Sequence, residues 1–480
     1  MFEIRILIFI TQVTWLHMDF FDILIIGFGF TTLFFQRFTP TTQKILLSTF
    51  LITIITQLIF VGLRWQYYLI YILFFLRSLI TLFDYKSSKK YVRFLISFKT
   101  FTLTLATTVL LYVFPVPSFE SQAGALYSVG YSEELVTIES RLNPVEFVEI
   151  SNLQEQTQRE LLVDVYYPSN EDSSFNQILR SADGNWGTYI VRYLNRTWEL
   201  SLPEFLLQHL KFSKFEVQEG LSPISNQQFP VLIYSHGWAG EKIFASDQLI
   251  HLASQGYVIF SIDHTGLAMF TDLPSGIIFN TGSTENSSNI HSVMFEMKND
   301  IEDSMNYFQN LSSDTNTVTK IVREAADFND ISVMAHSTGA GAVVEYCLVN
   351  ACQNMILQDP FLTPFIDAGE DLVIRNKTDV IYSEDWFSGY TDSDELTEIE
   401  VYNTILSPQD VEIHGYYMKD SRHYDFVAFG SISPLTKYTF LKGRIDYEES
   451  LDVNNYFNRI VLKGGTPNED YSPYLISIDQ

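Results

Sequence analysis

Cysteine is nearly absent from this 480-residue chain, which has only Cys347 and Cys352. Two thiols cannot build a disulfide-framed secreted domain. A reduced, buried pair is expected, although at a spacing of five residues the two could bond outside a cell. The nine histidines form no His, Cys or Asp cluster with metal-ligand spacing, and no glycine-rich phosphate loop is present. Neither a metal nor a nucleotide cofactor is therefore expected. Basic residues are outnumbered, 30 Lys and Arg against 57 Asp and Glu, and a net charge of -27 excludes a nucleic-acid binder, because a phosphate backbone repels it. No internal repeat or long low-complexity tract occurs, and at 46% hydrophobic the chain is not a disordered polymer.

The acidic average conceals two unlike parts. Residues 1–115 carry a net charge of +6 and the remainder carries -33, an asymmetry that calls for two environments. The basic part holds three long apolar runs, 45–63, 65–83 and 94–114, each close to the length of roughly 20 residues that crosses a bilayer. A buried helix of a soluble core seldom reaches such length without a polar face. A shorter run, 20–35, is apolar apart from Asp22 and two threonines and is expected as a fourth helix. The first run after Arg5 could be read as a secretory signal, but no small-residue cleavage site follows it. Arg37 with Lys44, and Lys86, Lys89 and Lys90 with Arg93, lie in the loops after the first and third helices. Four crossings with those loops in the cytoplasm put the N-terminus and everything beyond Phe114 outside the cell. Pro115 and Pro117 mark the exit.

Residues 116–480 are expected to form one extracellular domain of alternating strands and helices. Leu161–Tyr167, Pro230–Ser235, Val258–Asp263, Ile331–Ala335, Met355–Gln358 and Val380–Tyr382 are short apolar runs separated by turns and amphipathic stretches. That alternation implies an α/β fold with a mostly parallel sheet covered on both faces. Two insertions interrupt it. Residues 169–228 contain helical candidates at Phe175–Arg180, Tyr189–Leu194 and Glu204–His209. Residues 266–292, rich in Gly, Ser and Asn, are expected as a mobile loop. Insertions of this kind roof over sites formed at strand ends.

The chemistry centres on Ala335-His336-Ser337-Thr338-Gly339. A serine between a buried strand and a helix, flanked two residues away by tiny side chains, is lifted out of the sheet by a sharp turn, with Ala335 in place of the usual first glycine. Its hydroxyl needs a base, and the base needs an acid to orient it. His423 lies C-terminal to Ser337 in a polar loop after the strand candidate Glu412–Met418, and His414, within that strand, is the runner-up. His336 points the wrong way to activate its neighbour, and His236, His251 and His264 read as structural. An oxyanion hole needs two convergent backbone N–H groups. Thr338 would supply one and Trp238, in Ser235-His236-Gly237-Trp238, the other. Strand ends offer two acids, Asp359 and Asp385.

Four segments, Phe229 to Trp238, Ala335 to Gly339, Leu357-Gln358-Asp359-Pro360 and Arg422-His423-Tyr424-Asp425-Phe426, resemble in order those of the α/β-hydrolase superfamily. More narrowly they resemble the platelet-activating-factor acetylhydrolase family of isoform II and its bacterial relatives. Some of those relatives carry a multi-helix membrane segment with a turn like Gly62-Leu63-Arg64-Trp65-Gln66. The resemblance covers about residues 125–440. It implies a calcium-independent serine esterase acting on short or oxidised acyl groups of phospholipids or related esters. It also favours Asp359 over Asp385 as the acid. The expected protein is thus a multi-pass membrane esterase with Ser337, Asp359 and His423 as its catalytic residues and lipid or small esters as substrates. A hydrolase-like sensor without turnover, or a peptidase on the same fold, are the alternatives.

Overall fold

The computed structural model describes residues 20–82, 90–143, 148–150, 158–172, 185–224, 226–280, 287–311, 317–369, 372–387 and 397–478. The basic loop at Lys86 and Lys89, the run before residue 20 and the helical candidate Phe175–Arg180 lie outside them.

The described residues begin with apolar helices α1 (Phe20–Thr31), α2 (Pro40–Phe60), α3 (Tyr68–Leu82) and α4 (Lys90–Val113). Thr39 caps α2 by accepting the Thr42 N–H at 3.3 Å, and Pro40 follows at the first helical position, where its missing N–H costs nothing. One stripe of each helix packs inward, with Ile25, Phe50, Ile54, Ile70 and Leu73 among the shared core. The opposite faces carry exposed Ile52, Ile59, Phe75 and Phe94. Among the described residues three segments are long and apolar enough to cross a membrane, Pro40–Phe60, Trp65–Leu82 and Phe94–Val113, while Phe20–Phe35 is shorter. Buried Asp22 is paired: it accepts from Arg64 Nη1 at 3.4 Å and from the Tyr67 hydroxyl. Such pairing is what a buried ion requires.

Beyond the bundle the chain folds into a ten-stranded mixed sheet. In chain order its strands are β1 (Ser128–Leu142), β2 (Gln158–Ser169), β3 (Gln218–Glu219), β4 (Phe229–Ser235), β5 (Val258–Asp263), β6 (Ala326–His336), β7 (Asn354–Gln358), β8 (Lys377–Ser383), β9 (Ile413–Met418) and β10 (Leu475–Ser477). Their spatial order is β10-β9-β8-β7-β6-β4-β5-β2-β1-β3. The run β5-β4-β6-β7-β8-β9 is parallel. Antiparallel pairings flank it, β9 with β10 on one side and β5 with β2 and β2 with β1 on the other, and short β3 pairs parallel to β1. The sheet is therefore mixed, and the parallel pattern expected from sequence is limited to its centre. β5 is buried at every residue and β4 at all but Pro230, which is why both read as apolar runs without alternation.

Helices α5 (Trp186–Thr197), α6 (Ser246–Ser254), α7 (Ser287–Gln309), α8 (Thr338–Val349), α9 (Glu384–Phe387) and α10 (Tyr447–Leu462) complete the part that concerns the site. α6 stops just before Gly256, whose φ of +102° suits only glycine. The region 266–292, expected as a mobile loop, instead contains a hairpin of Phe270–Leu273 and Gly276–Asn280 and the start of α7. The hairpin packs with α5 through Tyr189, Phe270 and Phe279, so aromatic burial overrides the loop-like composition. The candidate Glu204–His209 forms turns and a short 3-10 segment, Gln208–Phe212. Cys347 and Cys352 are bonded, with Cα atoms 5.7 Å apart. This corrects the expectation of a reduced pair, because the turn after α8 brings the two within disulfide reach.

The bundle and the sheet body touch closely. Trp65 meets Phe205 at 5.5 Å, Phe114 meets the His209 ring at 5.8 Å, and a Cβ on Gly62 would lie 2.5 Å from Phe212. His209 is fully buried. Burial foremost, with the Arg64 charge beside it, pushes its pKa down to about 3.

Candidate active site

Ser337 sits at the sharp turn between β6 and α8 with φ 55°, a conformation that L side chains rarely adopt. The turn is fixed from two directions. The Ser337 N–H donates to the Gln358 carbonyl at 3.0 Å, and the Ser337 carbonyl accepts from Ala340 N–H at 3.0 Å. A Cβ on Gly339 would stand 2.5 Å from the Ser235 carbonyl oxygen, so this flank must be glycine. Ala335 lies in register between Ser235 of β4 and Leu357 of β7. Its methyl is accommodated there, fully buried.

His423 begins a short turn after β9, in a loop tied down by one buried carboxylate. Asp425 accepts from Arg422 N–H at 2.8 Å, Gly443 N–H at 2.7 Å and Lys442 Nζ at 2.7 Å. The His423 Nδ1–H donates to Asp359 Oδ2 at 2.8 Å, which leaves Nε2 to accept from the Ser337 hydroxyl at 3.0 Å. The imidazole is 19% exposed and Asp359 is fully buried. Asp359 follows β7 at φ 46° and also takes two donors from the end of β8, Ser383 N–H and Ser383 Oγ–H, each at 2.7 Å. Three donors thus converge on one carboxylate and fix its direction.

The other sequence candidates lie elsewhere. Asp385 turns away to pair with Arg422 Nε at 2.7 Å, and His414 pairs with Asp379 at 3.1 Å. His251 lies on α6, and His17 is outside the described residues. A Cβ on Gly237 would fall 2.8 Å from the Ser337 Cβ, so the loop carrying Trp238 runs directly against the serine. Among the described residues neither Trp238 N–H nor Thr338 N–H has a protein acceptor.

Sequence reasoning missed three contributions. His336 donates from Nε2 to the His423 carbonyl at 2.9 Å; its burial, with His423 close by, holds it well below the usual histidine range and so neutral. Trp386 of α9 stacks on the His423 ring. A second Ser, His and Asp array, fully buried, lies behind the loop: His264 Nε2 is 2.9 Å from Ser235 Oγ and its Nδ1 is 3.1 Å from Asp300 Oδ2. Asp300 is gripped by Arg159, whose Nε donates at 3.0 Å, and by Arg141 at 3.2 Å. The His264 N–H donates to His236 Nε2 at 3.2 Å, and His236 Nδ1–H donates to the Gly237 carbonyl at 2.7 Å. Burial pushes His236 down to about 3, which keeps it neutral and suited to hold a loop. Only the loop-holding part of this arrangement carries a local signal; its ionic anchors lie far apart in the chain.

A parallel-centred sheet with a serine raised at a strand-to-helix turn and a histidine in a later loop defines the α/β-hydrolase class. The ferulic acid esterase from Streptomyces cinnamoneus superposes with a TM-score of 0.54 over 76% of this chain and 99% of that one, at 17% identity. Within the class, residues 140–272 match the family model described as platelet-activating factor acetylhydrolase, isoform II. The platelet-activating factor acetylhydrolase of Cavia porcellus is 22% identical over 321 residues, covering 61% of this chain and 69% of that protein. The chain is therefore similar to the isoform II acetylhydrolases, as its motifs indicate. The matched stretch 140–272 includes the loop of Gly237 and Trp238 and ends before Ser337.

Proposed function

We propose that this chain is a membrane-anchored serine esterase, with residues 1–115 as a four-helix membrane domain and 116–480 as the hydrolase. The observation that carries the reading is the continuous relay Ser337, His423, Asp359 with contacts of 3.0 and 2.8 Å, centred on a serine at positive φ. The similarity to an acetylhydrolase family supports carboxylic esters as the substrate class.

In the proposed reaction the Ser337 oxygen attacks the ester carbonyl as His423 Nε2 takes its proton. Asp359, already bonded to Nδ1–H, steadies the imidazolium that forms. The carbonyl oxygen becomes an anion and accepts from Trp238 and Thr338 N–H. Collapse releases the alcohol, which takes the proton from His423 and leaves an acyl-Ser337. Water then attacks the acyl group with His423 again as base, and the acid is released with Ser337 regenerated. Fusion to apolar helices points to lipid esters as substrates, and the similarity to the acetylhydrolase family points to short or oxidised acyl groups. Basic loops at Arg37 and Lys90 suit the cytoplasmic side, and the bonded cysteines suit an oxidising compartment beyond the other face.

The test is hydrolysis by purified full-length protein of phosphatidylcholine carrying a short acyl chain, presented in vesicles. Ser337→Ala should lose at least about 10³-fold in kcat with the fold intact. Undiminished hydrolysis in that variant would remove the mechanism, and binding without turnover in the unaltered protein would favour a sensor.

A further inference from the structure

Two rings lie with centroids within 4.5 Å of the His423 imidazole. Trp386 lies with ring centroids 4.3 Å apart and planes 24° from parallel, and His336 lies at 4.5 Å and 38°. Trp386 is held there by the relay's own parts. Its backbone N–H donates to Ser383 Oγ at 3.2 Å, and that hydroxyl donates to Asp359. Phe361, two residues beyond Asp359, meets the indole edge-on at 6.2 Å. The serine that aims the acid therefore also anchors the main chain that carries the stacked ring.

An indole face is electron-rich and attracts a cation placed over it, while a neutral imidazole gains much less. His423 is neutral before attack and cationic as Ser337 adds to the carbonyl. A contact that strengthens with that charge lowers the barrier rather than merely tightening the ground state. Asp359 answers the charge in the plane of the ring at Nδ1. Trp386 faces the ring itself, where no hydrogen bond can form.

We propose that Trp386 is a positioning residue that stabilises the imidazolium of His423 during acyl transfer. This rests on the reading of Ser337 and His423 as nucleophile and base. The groups facing His423 are Asp359, Ser337, His336 and Tyr424, with the Arg422–Asp385 ion pair alongside. Trp386 donates its backbone N–H to Ser383 rather than to any of them, so a change there acts on the pH profile through the stacked ring.

The experiment follows p-nitrophenyl acetate hydrolysis by full-length protein against pH for the unaltered chain, Trp386→Leu, Trp386→Phe and Ser337→Ala. Trp386→Leu should lower kcat roughly tenfold. It should also move the acid limb of kcat/KM to lower pH by about half to one unit, because the cation has lost a stabilising partner. Trp386→Phe should restore most of both. A lowered kcat with an unmoved or raised acid limb, or an unchanged kcat, would overturn the proposal. Loss of activity in Trp386→Phe equal to that in Trp386→Leu would also overturn it, as would matching falls in thermal stability that explain both. Failure of the esterase reading itself would show separately, as undiminished hydrolysis by Ser337→Ala.

Discussion

The molecule contains the same three residue types in the same hydrogen-bonded order twice. Ser337, His423 and Asp359 form one array, and Ser235, His264 and Asp300 form the other. Their contact lengths are similar, so the contacts alone do not separate them. Placement does. Ser235 lies in β4 and its array is wholly shut away, whereas Ser337 stands at a strained turn and His423 is 19% exposed. The acids differ in kind as well. Asp359 is held by N–H and O–H dipoles, which orient a carboxylate. Asp300 would be raised by burial, but Arg159 and His264 hold it below the ordinary carboxylate range, as befits an ionic anchor. In the proposed mechanism one array moves a proton, while the other stays still and fixes the loop of His236, Gly237 and Trp238.

The difference can be broken from either side, and the acids give the largest contrast. Asp359→Asn should cost about 10⁴-fold in kcat through loss of the correct tautomer. Asp385→Asn should stay within about tenfold, since its carboxylate serves Arg422. Steady-state rates for both variants check this, and the reverse order would move the acid to Asp385.

Asp300→Asn should act mainly on stability, leaving the buried Arg159 guanidinium without its counter-ion at a cost of about 3–5 kcal/mol. Denaturant unfolding measures it. An unfolding midpoint equal to that of the unaltered protein would show that the second array is no anchor.

How much of this was legible in sequence depended on distance along the chain. The turn at Ser337 announces itself within eleven residues, through an apolar strand, tiny flanks and a small-residue helix. His423 followed from chain order, whereas the choice between Asp359 and Asp385 needed the family resemblance, because in the sequence both close neighbouring strand candidates. Trp386, Ser383 and His336 carried no local signal, since their partners lie 24 to 87 residues away. The Arg159–Asp300 pair spans 141 residues. The hairpin at 270–280 looks like loop in the sequence because its turn residues outweigh its aromatics. The cysteine pair depended on a backbone turn that spacing does not specify.

The smallest expected effect lies at the junction of bundle and hydrolase. His209 has a folded value of about 3 against an ordinary 6.5, so the unfolded chain binds the proton first. Its stabilising contribution is complete above pH 6.5 and falls as pH drops from there toward 3, by up to about 1.4 kcal/mol per unit. Thermal unfolding at pH 7 and pH 5 should show a smaller loss in His209→Phe than in the unaltered protein, whereas equal losses would disconnect this residue from the pH response.

The central claim is that of the two serines only Ser337 is a nucleophile. Labelling full-length protein with a fluorophosphonate, followed by peptide mass spectrometry, tests it most directly. The adduct should fall on Ser337 in the unaltered protein and in folded Ser235→Ala, and Ser337→Ala should carry none. An adduct on Ser235, or labelling that survives Ser337→Ala, would contradict the account.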